Sequence, residues 1–224
     1  MTTRTFGHVT ITLPELGDSG RYLSRVDTLD NPRGVVQDFT YGDADLRTLE
    51  LTDTRLTTGR ITGLHTKQAE FEALTLHRVE ITGSDLGPAR WSDSKFTRVH
   101  VQDSKLMGAA LDGLVLDDVL FEKCRFDYAT FENLRAAGPV VFVGCTFAEA
   151  AFTSCDLTDV MFSDCTLTLT EFGTGRYRGT DLRGNDLRTV RGITNLAKIR
   201  IDHDQQIQLA EALVNELDIT LGDD

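Results

Sequence analysis

An apolar residue returns at every fifth position over most of this chain. The series runs Leu46, Leu51, Leu56, Ile61, then Phe71, Leu76, Ile81, Leu86, Trp91, Phe96, Val101, Leu106, Leu111, Leu116, Phe121, Phe126 and Phe131. One residue is inserted, and the series resumes at Phe142, Phe147, Phe152, Leu157, Phe162, Leu167, Phe172, Tyr177, Leu182 and Leu187. Thr66 misses, and one step is skipped near Ala136 and Ala137. A second track two residues earlier holds small or medium residues, among them Ala69, Ala89, Ser94, Ala109, Cys124, Ala129, Cys145, Cys155 and Cys165. An α-helix repeats at about 3.6 residues and a strand at about 2, so a period of five fits neither. A short repeat sustained over most of a chain predicts a solenoid.

The pattern resembles the pentapeptide-repeat family, whose unit reads small–x–Leu/Phe–x–x. Ala129-Thr130-Phe131-Glu132-Asn133 and Cys155-Asp156-Leu157-Thr158-Asp159 carry the resemblance. It implies an all-β fold, a right-handed quadrilateral β-helix with one pentad per side, with the apolar centre and the small residue pointing inward. Eighteen centres from Leu46 to Phe131, Thr66 included, and ten from Phe142 to Leu187 make about seven coils. At the strand spacing of roughly 4.8 Å the rod is roughly 35 Å long. The Arg135-Ala136-Ala137-Gly138-Pro139 interruption suits a bulged corner and is too short for a projecting loop.

The flanks are off the repeat. His8 to Leu13 alternates like a strand, and Gly17 to Gly20 and Asn31 to Gly34 read as turns. Residues 1–35 are expected to cap the first coil, since a solenoid end exposes unpaired backbone and apolar side chains. Residues 36–192 form the β-helix, and 193–224 a C-terminal helix and tail. There Asp202 is the expected N-cap and Gln205 its capping-box partner. Ile207, Ala210, Leu213, Val214 and Leu217 share one helical face. That face either plugs the last coil or, with Ile219 to Leu221, also self-associates. The resemblance favours the second, because Qnr-like quinolone-resistance proteins form dimers end to end through a similar helix.

Composition narrows the function. The formal charge is −12 over 224 residues, which disfavours nucleic acid and anionic membranes and favours basic protein surfaces. No apolar run reaches membrane-spanning length. Met1 to Thr5 has no signal-peptide apolar region behind it, which predicts the cytoplasm. The four cysteines lie on the inward track, and Cys124, Cys145 and Cys165 fall one coil apart. They read as buried thiols, since no His or Asp shares the track to complete a metal site. His8, His65, His77, His100 and His203 are scattered, and no phosphate loop, CxxC or HExxH occurs. No catalytic residue, cofactor or metal is expected, and the chain reads as a non-enzyme.

Folding the charge onto four sides is more informative. The side centred on Leu51, Phe71, Trp91, Leu111, Phe131, Phe152 and Phe172 carries Glu50, Asp53, Glu70, Glu72, Asp93, Asp112, Glu132 and Glu171 against Arg90 alone. The next side carries Arg55, Arg78, Lys95, Arg98, Arg176 and Arg178 against four aspartates. An acidic face has one reading as a solubility device and another as a mimic of duplex DNA. The Qnr resemblance implies the second: an acidic dimeric rod that binds the type II topoisomerase DNA gyrase and protects it from quinolone-type or natural-product poisons, or inhibits it. The alternative is a protein-interaction scaffold of the same repeat class with no topoisomerase role. The long projecting loops of some Qnr proteins have no counterpart in this sequence.

Overall fold

The computed structural model describes residues 2–16, 23–220 and 222. The turn expected from Gly17 to Gly20, and Leu221 of the tail, lie outside them. Strands β1 (Thr2–Phe6) and β2 (Val9–Leu13) form an antiparallel hairpin. Strand β3 (Ser24–Arg25) pairs parallel with β4 (Val35–Thr52), which pairs parallel with β5 (Arg55–Glu72). Every later strand pairs parallel with the one a coil earlier, giving a continuous β-solenoid. The register advances by twenty residues per coil: Leu51 stacks on Phe71, Phe71 on Trp91, Trp91 on Leu111 and Leu111 on Phe131.

The inserted residue is absorbed where the sequence places it. Phe121 pairs with Phe142 and Phe131 with Phe152, so this one coil has twenty-one residues. The Leu116 carbonyl accepts from both Ala137 N (2.7 Å) and Gly138 N (3.4 Å), and Val119 N donates to Pro139 O. The extra residue therefore bulges a corner and projects no loop.

Corners explain the polar positions. At most corners the second residue past the inward apolar residue is left-handed, as at Asp53 (φ 47), Asp93 (φ 49), Asn133 (φ 52) and Asp164 (φ 52). Asp, Asn and Gly tolerate this region best, which is why they recur there.

The inward columns stack like with like. Phe121, Phe142 and Phe162 lie face to face at 4.9 and 5.0 Å, and Phe131, Phe152 and Phe172 at 4.4 and 5.3 Å. Neighbouring columns meet edge to face, as for Phe142 and Phe147 at 82°. Both geometries suit the aromatic quadrupole. Truncating one such fully buried ring costs about 3–5 kcal/mol.

Cys124, Cys145 and Cys165 form one column, each donating its thiol to backbone carbonyls of its own coil and the coil before. All four cysteines are free and buried. Burial pushes the Cys145 thiol well up and that of Cys155 up to about 11, which keeps them protonated and unreactive.

The ends close by different means. Leu29 enters the core at the first coil. At the other end α1 (Gln205–Glu216) lies across the last coil. Buried Gln205 donates through Nε2 to the carbonyls of Leu182 (2.9 Å) and Asn185 (2.7 Å), acceptors that a further coil would otherwise satisfy. The capping box forms by half: Gln205 Oε1 accepts from Asp202 N at 2.7 Å, whereas the Asp202 carboxylate accepts from Gly184 N and caps no helix amide. The helix begins three residues after Asp202, with Asp204 at its N-cap position.

The segment expected to cap the first coil divides in two. Residues 24–35 lie at that end, but the β1–β2 hairpin lies along one side. Val9 and Ile11 pack on Leu120 and Val141, with Phe6, Leu13, Val143 and Met161 around them. The physical reason is a strip of apolar residues at outward positions, which must be covered. Polar contacts fix the hairpin. Arg4 donates twice to Glu122, at 2.7 and 3.1 Å, and Thr12 N donates to Asp118. His8 Nδ1 is 3.5 Å from Asp181, and His100 Nε2 is 3.2 Å from Glu122.

This seat is sensitive to acid. Arg4 holds the Glu122 carboxyl below its ordinary range, against the opposing effect of burial. Burial lowers His100, although Glu122 works the other way. Burial would raise Asp181, but its hydrogen bonds from Arg183 prevail and lower it. A group lowered by folding stabilises the fold above its unfolded pKa, and that stabilisation is lost as pH falls through the folded value. The loss begins below the ordinary His100 value of 6.5 and grows once the carboxylates, ordinarily 4.5 and 3.8, are protonated. The Val9 and Ile11 methyl resonances are therefore predicted to move toward random-coil positions as the pH falls from 7 to about 3, before the Phe-rich coils melt. Methyl NMR across that range checks this, and resonances that stay in place until global unfolding would contradict it.

Candidate partner-binding face

The side centred on Leu51, Phe71, Trp91, Leu111, Phe131, Phe152 and Phe172 exists as one continuous ladder. All eight carboxylates anticipated on it are exposed. They fall into three rows. Before each inward residue stand Glu50, Glu70, Arg90, Ala110, Thr130, Ala151 and Glu171. After it stand Thr52, Glu72, Ser92, Asp112, Glu132 and Thr153. Asp53 and Asp93 occupy the corner beyond, their amides bonded to the carbonyls of Glu72 and Asp112.

Seven of the eight form a contiguous stretch from Glu50 to Glu132, four coil steps or roughly 19 Å. Glu171 lies on the same side but stands apart. Ala151 and Thr153 separate it from Glu132, and its bridge partner in the next coil is Arg191.

None of the eight joins an ion pair among the described residues, whereas ion pairs occur on the other sides. Arg60 pairs with Glu80, Lys105 with Asp85, Arg125 with Asp127, and Arg188 with Asp186. The carboxylates of this face have amide donors alone, Gln68 to Glu70 at 3.2 Å and Asn133 to Asp112 at 2.8 Å. A shallow depression lined by Glu50, Glu70, Glu72, Arg90 and Asp112 runs along it. Like charges also face each other directly, Glu50 beside Glu70 and Asp112 beside Glu132. Such pairs repel and destabilise the isolated rod.

The hairpin covers the opposite side, centred on Phe121 and Phe142. The five helix residues expected at a dimer interface are turned from the core. Ile207 is 67% exposed and Leu217 55%, Ala210 is exposed, and Leu213 and Val214 are half-buried. The plug is made by Gln205, Leu209 and Ala212, with Gln208 accepting from Leu187 N and Glu216 from Ile193 N. Sequence reasoning missed both the hairpin seat and the exposed Tyr128 at a corner of the acidic side. Outward apolar residues at 120, 141, 143 and 161 were the available signal for the first.

Residues 114–191 match the sequence model described as the pentapeptide repeat region. Over that stretch the chain carries the pentapeptide repeat. The same five-residue geometry extends back to Val35, well before the matched stretch. Comparison with curated proteins returns no match. Among solved structures, a trypsin-treated form of QnrB1, described as a plasmid-mediated fluoroquinolone resistance protein, is 16% identical, with 89% of this chain and 96% of that one covered and a TM-score of 0.48. Full-length QnrB1 is 14% identical, with 78% and 99% covered and a TM-score of 0.46. HetL, described as a pentapeptide repeat protein involved in heterocyst differentiation regulation from the cyanobacterium Nostoc sp. strain PCC 7120, is 17% identical, with 74% and 86% covered and a TM-score of 0.35.

The repulsion within the face yields a stability prediction. Glu132→Lys turns the like-charge contact with Asp112 into an opposite-charge one and is predicted to raise stability by about 0.5 kcal/mol. Thermal melts at low and high salt check it. The gain should shrink with salt, and a destabilised variant at low salt would contradict it.

Proposed function

We propose that the chain is an acidic rod that binds a type II topoisomerase, DNA gyrase in the first instance, and modulates it or protects it from quinolone-type or natural-product poisons. The observation that carries this reading is the contiguous row of unpaired, exposed carboxylates at regular coil spacing along one side. A basic groove built for duplex DNA reads a rod of regularly spaced negative charge. DNA presents one charge per about 1.7 Å of axis, whereas the rod offers at most about one or two per 4.8 Å coil on this face. The rod is thus a partial mimic whose shape and uncharged contacts add to its charge. The repeat, the negative charge and the terminal helix, each resembling Qnr-like proteins, support the choice of target. The protein acts as a binding partner rather than a catalyst, and its place of action is the cytoplasm.

A homodimer is part of the proposal. Ile207, Ala210, Leu213, Val214 and Leu217 would supply the contact, with Ile207 and Leu217 the most exposed of the five. Sedimentation is expected to show a dimer that Leu217→Asp converts to monomer, and an unchanged sedimentation coefficient would remove this part.

Gyrase supercoiling with added chain, with and without a fluoroquinolone, tests the main claim. The wild type is expected to inhibit or rescue the reaction, with an effect that fades at high salt. The triple variant Glu70→Lys, Asp93→Lys, Asp112→Lys keeps its fold, since these sites point outward, and is expected to have no effect. An equally active triple variant would sink the mimicry reading.

A further inference from the structure

The Tyr128 side chain stands outside the core. The residue is 58% exposed, and it is the one aromatic among the exposed large apolar residues described. It makes no ring contact and no side-chain hydrogen bond among the described residues. Its backbone is left-handed at φ +62, the one aromatic residue described in that conformation. For a bulky side chain this is an uncommon and costly geometry, which Asp, Asn or Gly would adopt with less strain. Thr58 and Leu169 take the same conformation at their corners, which the coil geometry imposes.

The corner itself is firmly built. Tyr128 N donates to Ala148 O at 2.8 Å. Buried Asp127, the preceding residue, accepts from Ala148 N at 3.1 Å and from Arg125. The ring is therefore carried on a backbone fixed in advance. One coil earlier the same corner is Gly108, where an added Cβ would meet nothing within 4 Å, so space is open on that flank.

Position gives the ring its use. Tyr128 stands two residues before Thr130, at the edge where the chain turns onto the acidic side. There the row before the inward residues is short and uncharged, Ala110, Thr130 and Ala151 in successive coils. Asp112 and Glu132 lie just beyond on the same strands, and Glu149 follows Tyr128 at the corner of the next coil. An exposed aromatic ring beside small residues and bordered by carboxylates matches the make-up of a protein-binding hot spot, in which Tyr, Trp and Arg predominate. With the backbone fixed, only the two side-chain torsions of the ring remain to be ordered on contact. The surrounding negative charge selects a cationic partner surface, and the π-face of Tyr accepts a guanidinium or ammonium group.

We infer that Tyr128 is the aromatic anchor of the acidic face, stacking on an arginine or lysine of the basic protein surface that this face engages. The inference rests on the partner reading proposed above.

The test measures binding of the full chain to immobilised DNA gyrase, together with thermal melts. The variants are Tyr128→Gly, Tyr128→Asn, Tyr128→Phe and the Glu70, Asp93, Asp112 triple reversal. Tyr128→Gly and Tyr128→Asn relieve the corner, so their melting temperatures should equal or exceed the wild type. Their affinity should fall at least about 10-fold, while Tyr128→Phe, which keeps the π-face, should stay near wild type. If both relieved variants bind like wild type while the triple reversal abolishes binding, the anchor is overturned and the partner reading stands. If the wild type does not bind, the partner reading fails and the anchor fails with it.

Discussion

Everything in this molecule depends on a coil that closes in twenty residues and stacks in register on the next. Because the backbone ladder is parallel and the advance nearly constant, each inward side chain rests on its counterpart one coil away. The strand spacing of roughly 4.8 Å is also a good separation for flat aromatic rings. The Phe columns of the later coils therefore satisfy backbone pairing and ring stacking with one repeat distance. Cys124, Cys145 and Cys165 follow the same rule, filling a corner and donating to backbone carbonyls.

That constraint also makes the surface legible as columns. Any outward residue has its neighbours fixed a coil above and below, so surface chemistry accumulates in stripes. One side pairs Arg4, His100 and Glu122 beneath the hairpin. The side across the rod leaves a run of carboxylates without cationic partners, at the expense of like-charge contacts such as Asp112 with Glu132. A fold maintained by interior columns tolerates this repulsion, and the uncompensated charge is then available to a basic partner.

The sequence made the interior readable because one residue in five is forced to be apolar, and this signal survives even a one-residue insertion at Gly138 and Pro139. The placement of Glu50 to Glu171 on a single side follows from the same arithmetic. The hairpin was harder to place. Val9, Ile11 and Leu13 announce a strand, but which surface they cover depends on Leu120, Val141 and Met161, outward residues that become neighbours only when coils stack. The helix was legible as a helix. Its faces were not, because Gln205, a polar residue, plugs the end while Ile207 and Leu217 remain outside. Tyr128 escaped notice because a corner position carries no hydrophobic pattern.

The most direct test of the central claim is the salt dependence of the affinity of the rod for DNA gyrase, compared with a form neutralised by Glu70→Gln, Glu72→Gln and Asp112→Asn. If the acidic ladder replaces DNA in a basic groove, the wild-type affinity falls steeply with salt and the neutralised form shows both weaker binding and a shallower slope. Equal affinities and parallel slopes for the two forms would contradict it and leave the acidic side as a means of solubility alone.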